Sequence, residues 1–154
     1  MRIGIVGGGQ LGRMLAQAGA PLDLRFTFLD PGAEPCAAAH GEHLQADWQD
    51  AQALSTLTAT CDAITFEFEN VPAEAVERLA EQRPAYPPAS ALATARDRWL
   101  EKSLFRSLDI DVPPIARIDS QADIDTAVDE IGLPVVLKTR TMGYDGKGQK
   151  VLRA

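Results

Sequence analysis

A doubly wound α/β fold, followed by a second and shorter unit, is what this sequence predicts, and three features predict it. Apolar strand-like runs alternate with helix-spaced segments from residue 2 to about residue 88. The first run leads straight into three glycines and then a helix, the order in which parallel sheets present a loop to a ligand. Past residue 110 the pattern changes: an apolar run ending in lysine, a glycine-rich turn and another strand-like run occupy 134–153.

Residues 2–6 (RIGIV) read as a buried strand, broken by Gly7-Gly8-Gly9. Leu11, Met14, Leu15 and Ala18 then recur at helical spacing as far as Gly19 and Pro21. Residues 25–29 (RFTFL) read as a second strand, closed by the turn signal Asp30-Pro31-Gly32, and a loose stretch of small residues runs to about Ala39. Residues 50–60 read as a helix with Asp50 as its cap. Cys61 to Phe68 reads as a strand, stopped by Asn70-Val71-Pro72. Pro72 opens a helix with Ala75, Val76 and Leu79 on one face, and Tyr86-Pro87-Pro88 ends that unit.

One helical stretch is expected over about 90–108, carrying Arg96, Arg98, Lys102 and Arg106 beside Trp99, Leu100, Leu104 and Phe105. Ser120 caps a helix over 121–131 that ends at Gly132. Strands at 134–138 and 149–153 flank the loop Gly143–Gly148 and form a hairpin. The expected organisation is a first domain over 1–90, a helical connector over 91–110 and the beginning of a second domain over 111–154.

Composition narrows the function. The chain has 154 residues and a net charge of -7, which argues against a sequence-independent nucleic-acid binder. It contains no apolar run of membrane-spanning length, so no membrane partner is expected. The two cysteines, Cys36 and Cys61, are far apart, and His40 and His43 have no accompanying Cys-x-x-Cys. This reads as a reduced, cytoplasmic protein with no zinc site.

Three segments carry chemistry. Gly7-Gly8-Gly9-Gln10-Leu11-Gly12 matches G-x-G-x-x-G between a strand and a helix, where backbone amides can face an anion. Asp30, ending the next strand, stands where a ribose-binding acid stands in dinucleotide folds. Thr65-Phe66-Glu67-Phe68-Glu69-Asn70, read as strand, puts Glu67 and Glu69 on one face and Phe66 and Phe68 on the other. Lys138 to Gln149 sets a strand-borne lysine beneath a glycine-rich turn, an arrangement suited to nucleoside triphosphate phosphates. The spacing is not that of a Walker loop.

GGGQLGRML at 7–15, TFEFENVP at 65–72, RDRWLEKSLF at 96–105 and KTRTMGYDGKGQ at 138–149 together resemble the 5-(carboxyamino)imidazole ribonucleotide synthetases, an ATP-grasp family of purine biosynthesis. The resemblance implies a Rossmann-like pre-ATP-grasp domain followed by the start of an ATP-grasp small subdomain. It also implies an ATP-dependent carbon–nitrogen ligase that carboxylates the amine of aminoimidazole ribonucleotide with bicarbonate, through carboxyphosphate.

By position, the resemblance puts Arg98, Lys138 and the loop Gly143, Tyr144, Asp145, Gly146, Lys147, Gly148 and Gln149 on ATP. Tyr144 and Asp145 are its candidate catalytic residues, facing the imidazole and bicarbonate. Gly9, Gln10, Leu11, Glu67, Glu69 and Asn70 are its candidate substrate contacts. Family members are longer, so the magnesium ligands and the adenine pocket are expected outside these residues, with no metal ligand in this chain and little turnover by the chain alone. A homodimer is implied at full length.

Three other readings compete. An NAD-dependent Rossmann oxidoreductase would use GGGQLG and Asp30 but leaves Lys138–Gln149 without a purpose. A sister ATP-grasp ligase, such as a formate-dependent glycinamide ribonucleotide transformylase, would share the first loop and differ around FEFENVP and GYDGKGQ. A non-catalytic module would bind a nucleotide or a partner subunit without turnover.

Overall fold

The structure is a computed structural model that describes residues 1–143 and 146–154. The chain forms two compact units, Met1–Ala93 and Thr94–Ala154.

The first unit is built on a parallel sheet of β1 (Arg2–Val6), β2 (Arg25–Asp30), β3 (Glu42–Gln45) and β4 (Ala63–Phe66), in the order β3-β2-β1-β4. Ile5 lies beside Phe28 on one side and Thr65 on the other. Pro84–Tyr86 runs along the outer edge of β4, where Ile64 N–H donates to Pro84 O at 2.8 Å and Tyr86 N–H to Ile64 O at 3.0 Å. This covers one unpaired sheet edge.

Alternation along β1 and β2 splits the apolar side chains between two cores. Ile5, Phe26 and Phe28 face α1 (Gln10–Gly19) with Ala16. Val6 and Leu29 face the other way, toward α2 (Ala51–Thr60), α3 (Ala73–Ala80) and α4 (Ala89–Ala95), whose Leu54, Leu57, Val76, Leu79 and Leu92 fill that side. Full burial of a residue such as Phe28 or Leu57 contributes about 1.5–3 kcal/mol. Asp50 caps α2 as expected, its Oδ1 accepting the Ala53 N–H at 2.7 Å.

The apolar stripe that marks α1 in the sequence is not its buried face. Gly12, Ala16 and Gly19 are buried, whereas Leu11, Met14 and Leu15 are exposed. Phe26 and Phe28, with ring centroids 6.3 Å apart, fill the space above the sheet. Only small residues let the helix come down on them: a Cβ at Gly19 would stand 2.5 Å from Phe26 Cζ.

Two other features differ from the sequence reading. A third strand, β3, lies between the loose stretch to about Ala39 and the helix over 50–60, where the sequence reading assigns no element. The expected helix over 90–108 is two helices, α4 and α5 (Arg98–Ser107), because Asp97 takes an extended conformation (φ -112, ψ 112) and caps α5.

In the second unit, α5 precedes α6 (Gln121–Ile131) and an antiparallel hairpin of β5 (Val135–Lys138) and β6 (Gln149–Leu152). Ser120 and Asp123 form a capping box on α6, and Gly132 ends it with φ 85. Lys138 pairs with Gln149 at the mouth of the glycine loop. Among the described residues, none after Leu92 is buried.

Candidate functional site

In the first unit, the glycine loop lies between the carboxyl ends of β2 and β4. Gly7 holds φ 104, and its N–H donates to Leu29 O at 2.9 Å. Gly8 N–H donates to Asp30 Oδ2 and Gly9 N–H to Glu67 Oε1, each at 2.8 Å. A Cβ at Gly9 would stand 2.7 Å from Glu67 Oε1, so the closeness of this carboxylate requires the glycine. Two of the amides that the motif offers to an anion are thus bonded to acids of the same chain. Gly9 is also the N-cap of α1, which has no side-chain cap, and Arg13 N–H is bonded back to Gly9 O at 3.1 Å. The amides of Gln10, Leu11 and Gly12 are the donors of that first turn.

Asp30 does not stand ready for a ribose. Its Oδ2 takes Gly8 N–H and its Oδ1 takes Gly32 N–H, both at 2.8 Å, so it braces the loop. β4 stops at Phe66, one residue before the acids. Glu67, Phe68, Glu69 and Asn70 therefore lie in the turn beyond it, and the expected two-faced alternation fails there. Glu67 reaches back to Gly9, Glu69 is exposed, and Asn70 is only 7% exposed. Phe68 leans on Trp48 with ring centroids 5.7 Å apart. Gln10 and Leu11 are exposed at the start of α1.

In the second unit, a cavity of about 530 Å³ is lined by Arg98, Trp99 and Lys102 of α5, by residues 113–118, by one side of α6, and by Val135–Arg140. Ile115, Ile118, Ile124, Val128, Leu137 and Leu152 make much of its wall apolar. Among the described residues, five cationic ones line it (Arg98, Lys102, Arg117, Lys138 and Arg140) and no Asp or Glu does, although the chain is acidic overall.

These cations differ in their partners. Lys102 pairs with Glu101 at 3.0 Å, Arg117 with Asp119 at 2.6 Å, and Arg140 with Asp97. Arg98 and Lys138 have no carboxylate partner among the described residues. Lys102 Nζ also sits 4.8 Å from the Phe105 ring centroid.

The glycine loop of the second unit is fastened at its base. Arg98 Nη2 donates to Gly143 O at 3.0 Å, and Thr139 N–H donates to Gly148 O at 2.8 Å. Gly148 holds φ 70, and a Cβ there would stand 2.5 Å from Thr139 Oγ1. Gly146 and Lys147 lie in the turn leading to β6, which starts at Gln149. Tyr144 and Asp145, the candidate catalytic residues, lie outside the described residues. The sequence did not single out Asp97 or Arg140. A capping signal was available in Asp97, three residues before Leu100 on an amphipathic helix, but nothing local announces an ion pair across 43 positions.

Among the described residues, no group of three or more His, Cys, Asp or Glu side chains could hold a metal ion. No described helix is long and apolar enough to cross a membrane.

Comparison with known proteins places this geometry. Residues 1–96 match the ribonucleotide synthetase preATP-grasp domain, and residues 103–154 match the ATP-grasp domain. The N5-carboxyaminoimidazole ribonucleotide synthase of Pseudomonas aeruginosa is 59% identical over 153 residues, covering 99% of this chain and 42% of that protein. The crystal structure of the Staphylococcus aureus N5-carboxyaminoimidazole synthetase complexed with ADP superposes with TM-score 0.96 at 37% identity, over 99% of this chain and 41% of that one. The Aspergillus clavatus synthase in complex with ADP and 5-aminoimidazole ribonucleotide superposes with TM-score 0.82 at 27% identity, over 99% and 40%.

The chain thus spans about two-fifths of the length of the relatives it matches. The oxidoreductase alternative is not favoured by these matches, nor by an Asp30 whose two oxygens already brace the loop. With the match over residues 1–96 and a parallel sheet in the order β3-β2-β1-β4, this chain belongs to the ribonucleotide synthetase preATP-grasp family and continues into an ATP-grasp domain.

Proposed function

We propose that this chain is the front part of an ATP- and bicarbonate-dependent ligase that carboxylates the amine of 5-aminoimidazole ribonucleotide. The observation that carries the reading is the sorting of charges in the second unit. The two cations that the family resemblance assigns to ATP, Arg98 and Lys138, are the two cavity cations without a carboxylate partner among the described residues. A fixed cation in a partly apolar recess interacts more strongly with phosphate oxygens than one in open water. The relatives crystallised with ADP, and with ADP and 5-aminoimidazole ribonucleotide, support the same ligands here.

In this reading the γ-phosphoryl group of ATP passes to bicarbonate, giving ADP and carboxyphosphate. Loss of phosphate then delivers carbon dioxide to the amine. Splitting one difficult condensation into two easier steps is the advantage. Arg98, Lys138 and the loop from Gly143 to Gln149 hold the nucleotide, with Tyr144 and Asp145 toward the bicarbonate and imidazole. Gly9, Gln10, Leu11, Glu67, Glu69 and Asn70 receive the ribonucleotide. Glu67 has one oxygen on Gly9 and a second oxygen to offer an amine or a hydroxyl. Magnesium accompanies ATP on ligands outside this chain, and a homodimer in the cytoplasm completes the proposal. The division into a domain over 1–90, a connector over 91–110 and an ATP-grasp beginning over 111–154 is part of it.

Calorimetric titration with ADP, with 5-aminoimidazole ribonucleotide and with NAD tests the reading. Binding of the first two, with ribonucleotide binding weakened by Glu67→Ala and ADP binding weakened by Lys138→Gln, is the expected outcome. NAD uptake without any response to ADP or ribonucleotide overturns it.

A further inference from the structure

Asp97 and Arg98 are neighbours in sequence, yet they do opposite things. Asp97 Oδ1 accepts the N–H groups of Trp99 at 2.9 Å and Leu100 at 3.3 Å, and also Arg140 Nε at 3.2 Å. Its Oδ2 accepts Arg140 Nη2, which completes a two-pronged contact. The Asp97 side chain is 14% exposed. Both its oxygens are therefore taken, and the carboxylate nearest in sequence to Arg98 is spent on another arginine. Arg98 is left to reach across to Gly143 O, while its own N–H donates to Arg140 O at 3.0 Å. Three links (the fork, the backbone bond and the Gly143 contact) tie the stem Arg140–Gly143 to the dipeptide Asp97-Arg98.

A helix cap alone needs only the acid. The arginine adds two things: a fixed direction for the loop stem, and neutralisation of the acid next to Arg98 in the sequence. We propose that Asp97 and Arg140 are a positioning pair that holds the stem of the glycine loop against the start of α5 and keeps the Arg98 guanidinium open to a polyphosphate. This rests on the nucleotide reading above.

The test is calorimetric affinity for ATP and for inorganic tripolyphosphate, with far-UV circular dichroism as the check on folding. Asp97→Asn keeps an oxygen for the α5 amides but loses the charge. Arg140→Lys keeps the charge but loses the fork. The expected result is a loss of about tenfold in affinity for both ligands in Asp97→Asn, and a several-fold loss in Arg140→Lys, with helix content unchanged. Because the pair acts through Arg98, Asp97→Asn should cost little further affinity once Arg98→Ala is present. Wild-type affinity in both single variants overturns the pairing role, as does an Asp97→Asn effect that persists in full in the Arg98→Ala background. A wild-type protein that takes up neither ATP nor tripolyphosphate instead sinks the nucleotide reading, and the pair reverts to a helix cap.

Discussion

The carboxylate of Glu67 accepts the backbone N–H of Gly9 at 2.8 Å, joining the turn after β4 to the start of α1 across 58 positions of sequence. The same oxygen fills the space a side chain at Gly9 would need. Gly9→Ala is expected to destabilise the first unit by about 1–3 kcal/mol through overpacking. Glu67→Ala in the same molecule should return part of that loss. A double-mutant cycle by urea unfolding checks it, and strict additivity of the two losses would show that the contact is not what excludes the side chain.

Acid should loosen the second unit through Asp97. Burial works against ionisation there, but the Arg140 guanidinium and the amides of Leu100 and Trp99 outweigh it and hold the carboxyl below the usual carboxylate range. A depressed value in the folded state means the stabilisation is fully present above about pH 4, near the unfolded carboxylate value, and is lost as pH falls through the folded one. Trp48→Phe leaves Trp99 as the sole tryptophan, a fluorescence reporter within the second unit. Urea unfolding followed by Trp99 from pH 6 downward should show a drop in midpoint that is smaller in Asp97→Asn. Asp123, held low by the N–H groups of Asp119 and Ser120, supplies part of the slope that remains.

The exposed stripe of α1 makes an unusual mutational pattern. Met14→Gln should change stability by less than about 0.5 kcal/mol, because Met14 is 52% exposed. Ala16→Leu, on the face against Phe28, should cost about 1–3 kcal/mol. Thermal unfolding of the two variants separates these outcomes, and a larger loss from the methionine change would mean that the helix is turned the other way.

Asp50→Ala should cost about 1 kcal/mol by removing the acceptor for Ala53 N–H at the start of α2, and Asp50→Asn should cost much less. Equal losses in the two variants would show that charge, rather than the capping bond, matters at that position.

Elements whose signals are local were legible in the sequence. β1, β2, α2, α3 and α6 appear where alternation, caps and breakers put them, and Asp50, Ser120 and Gly132 act as read. The failures are tertiary. β3 is a short edge strand of polar character, and its pairing with β2 gives it a shape its residues do not announce. α1 was marked by its large apolar residues, yet the ring pair Phe26–Phe28 reserves the interface for Gly12, Ala16 and Gly19. Asp30 looked like a ligand contact because strand-end acids often are, but its bonds to Gly8 and Gly32 depend on where a loop 22 residues earlier is folded. Glu67 and Glu69 were placed by strand periodicity, which ends at Phe66.

The two units should also answer temperature differently. Apolar surface withdrawn from water gives unfolding its large heat-capacity increment, and among the described residues the fully covered side chains all precede Thr94. The second unit is tied instead by the Asp97–Arg140 fork, the Arg98 contacts and a short hairpin ladder. Its unfolding is therefore expected to carry a smaller heat-capacity change per residue and a flatter dependence of free energy on temperature. The first unit, with two filled cores, follows a strongly curved one. Cooling weakens the hydrophobic contribution in the first unit and leaves the polar clamps of the second largely untouched.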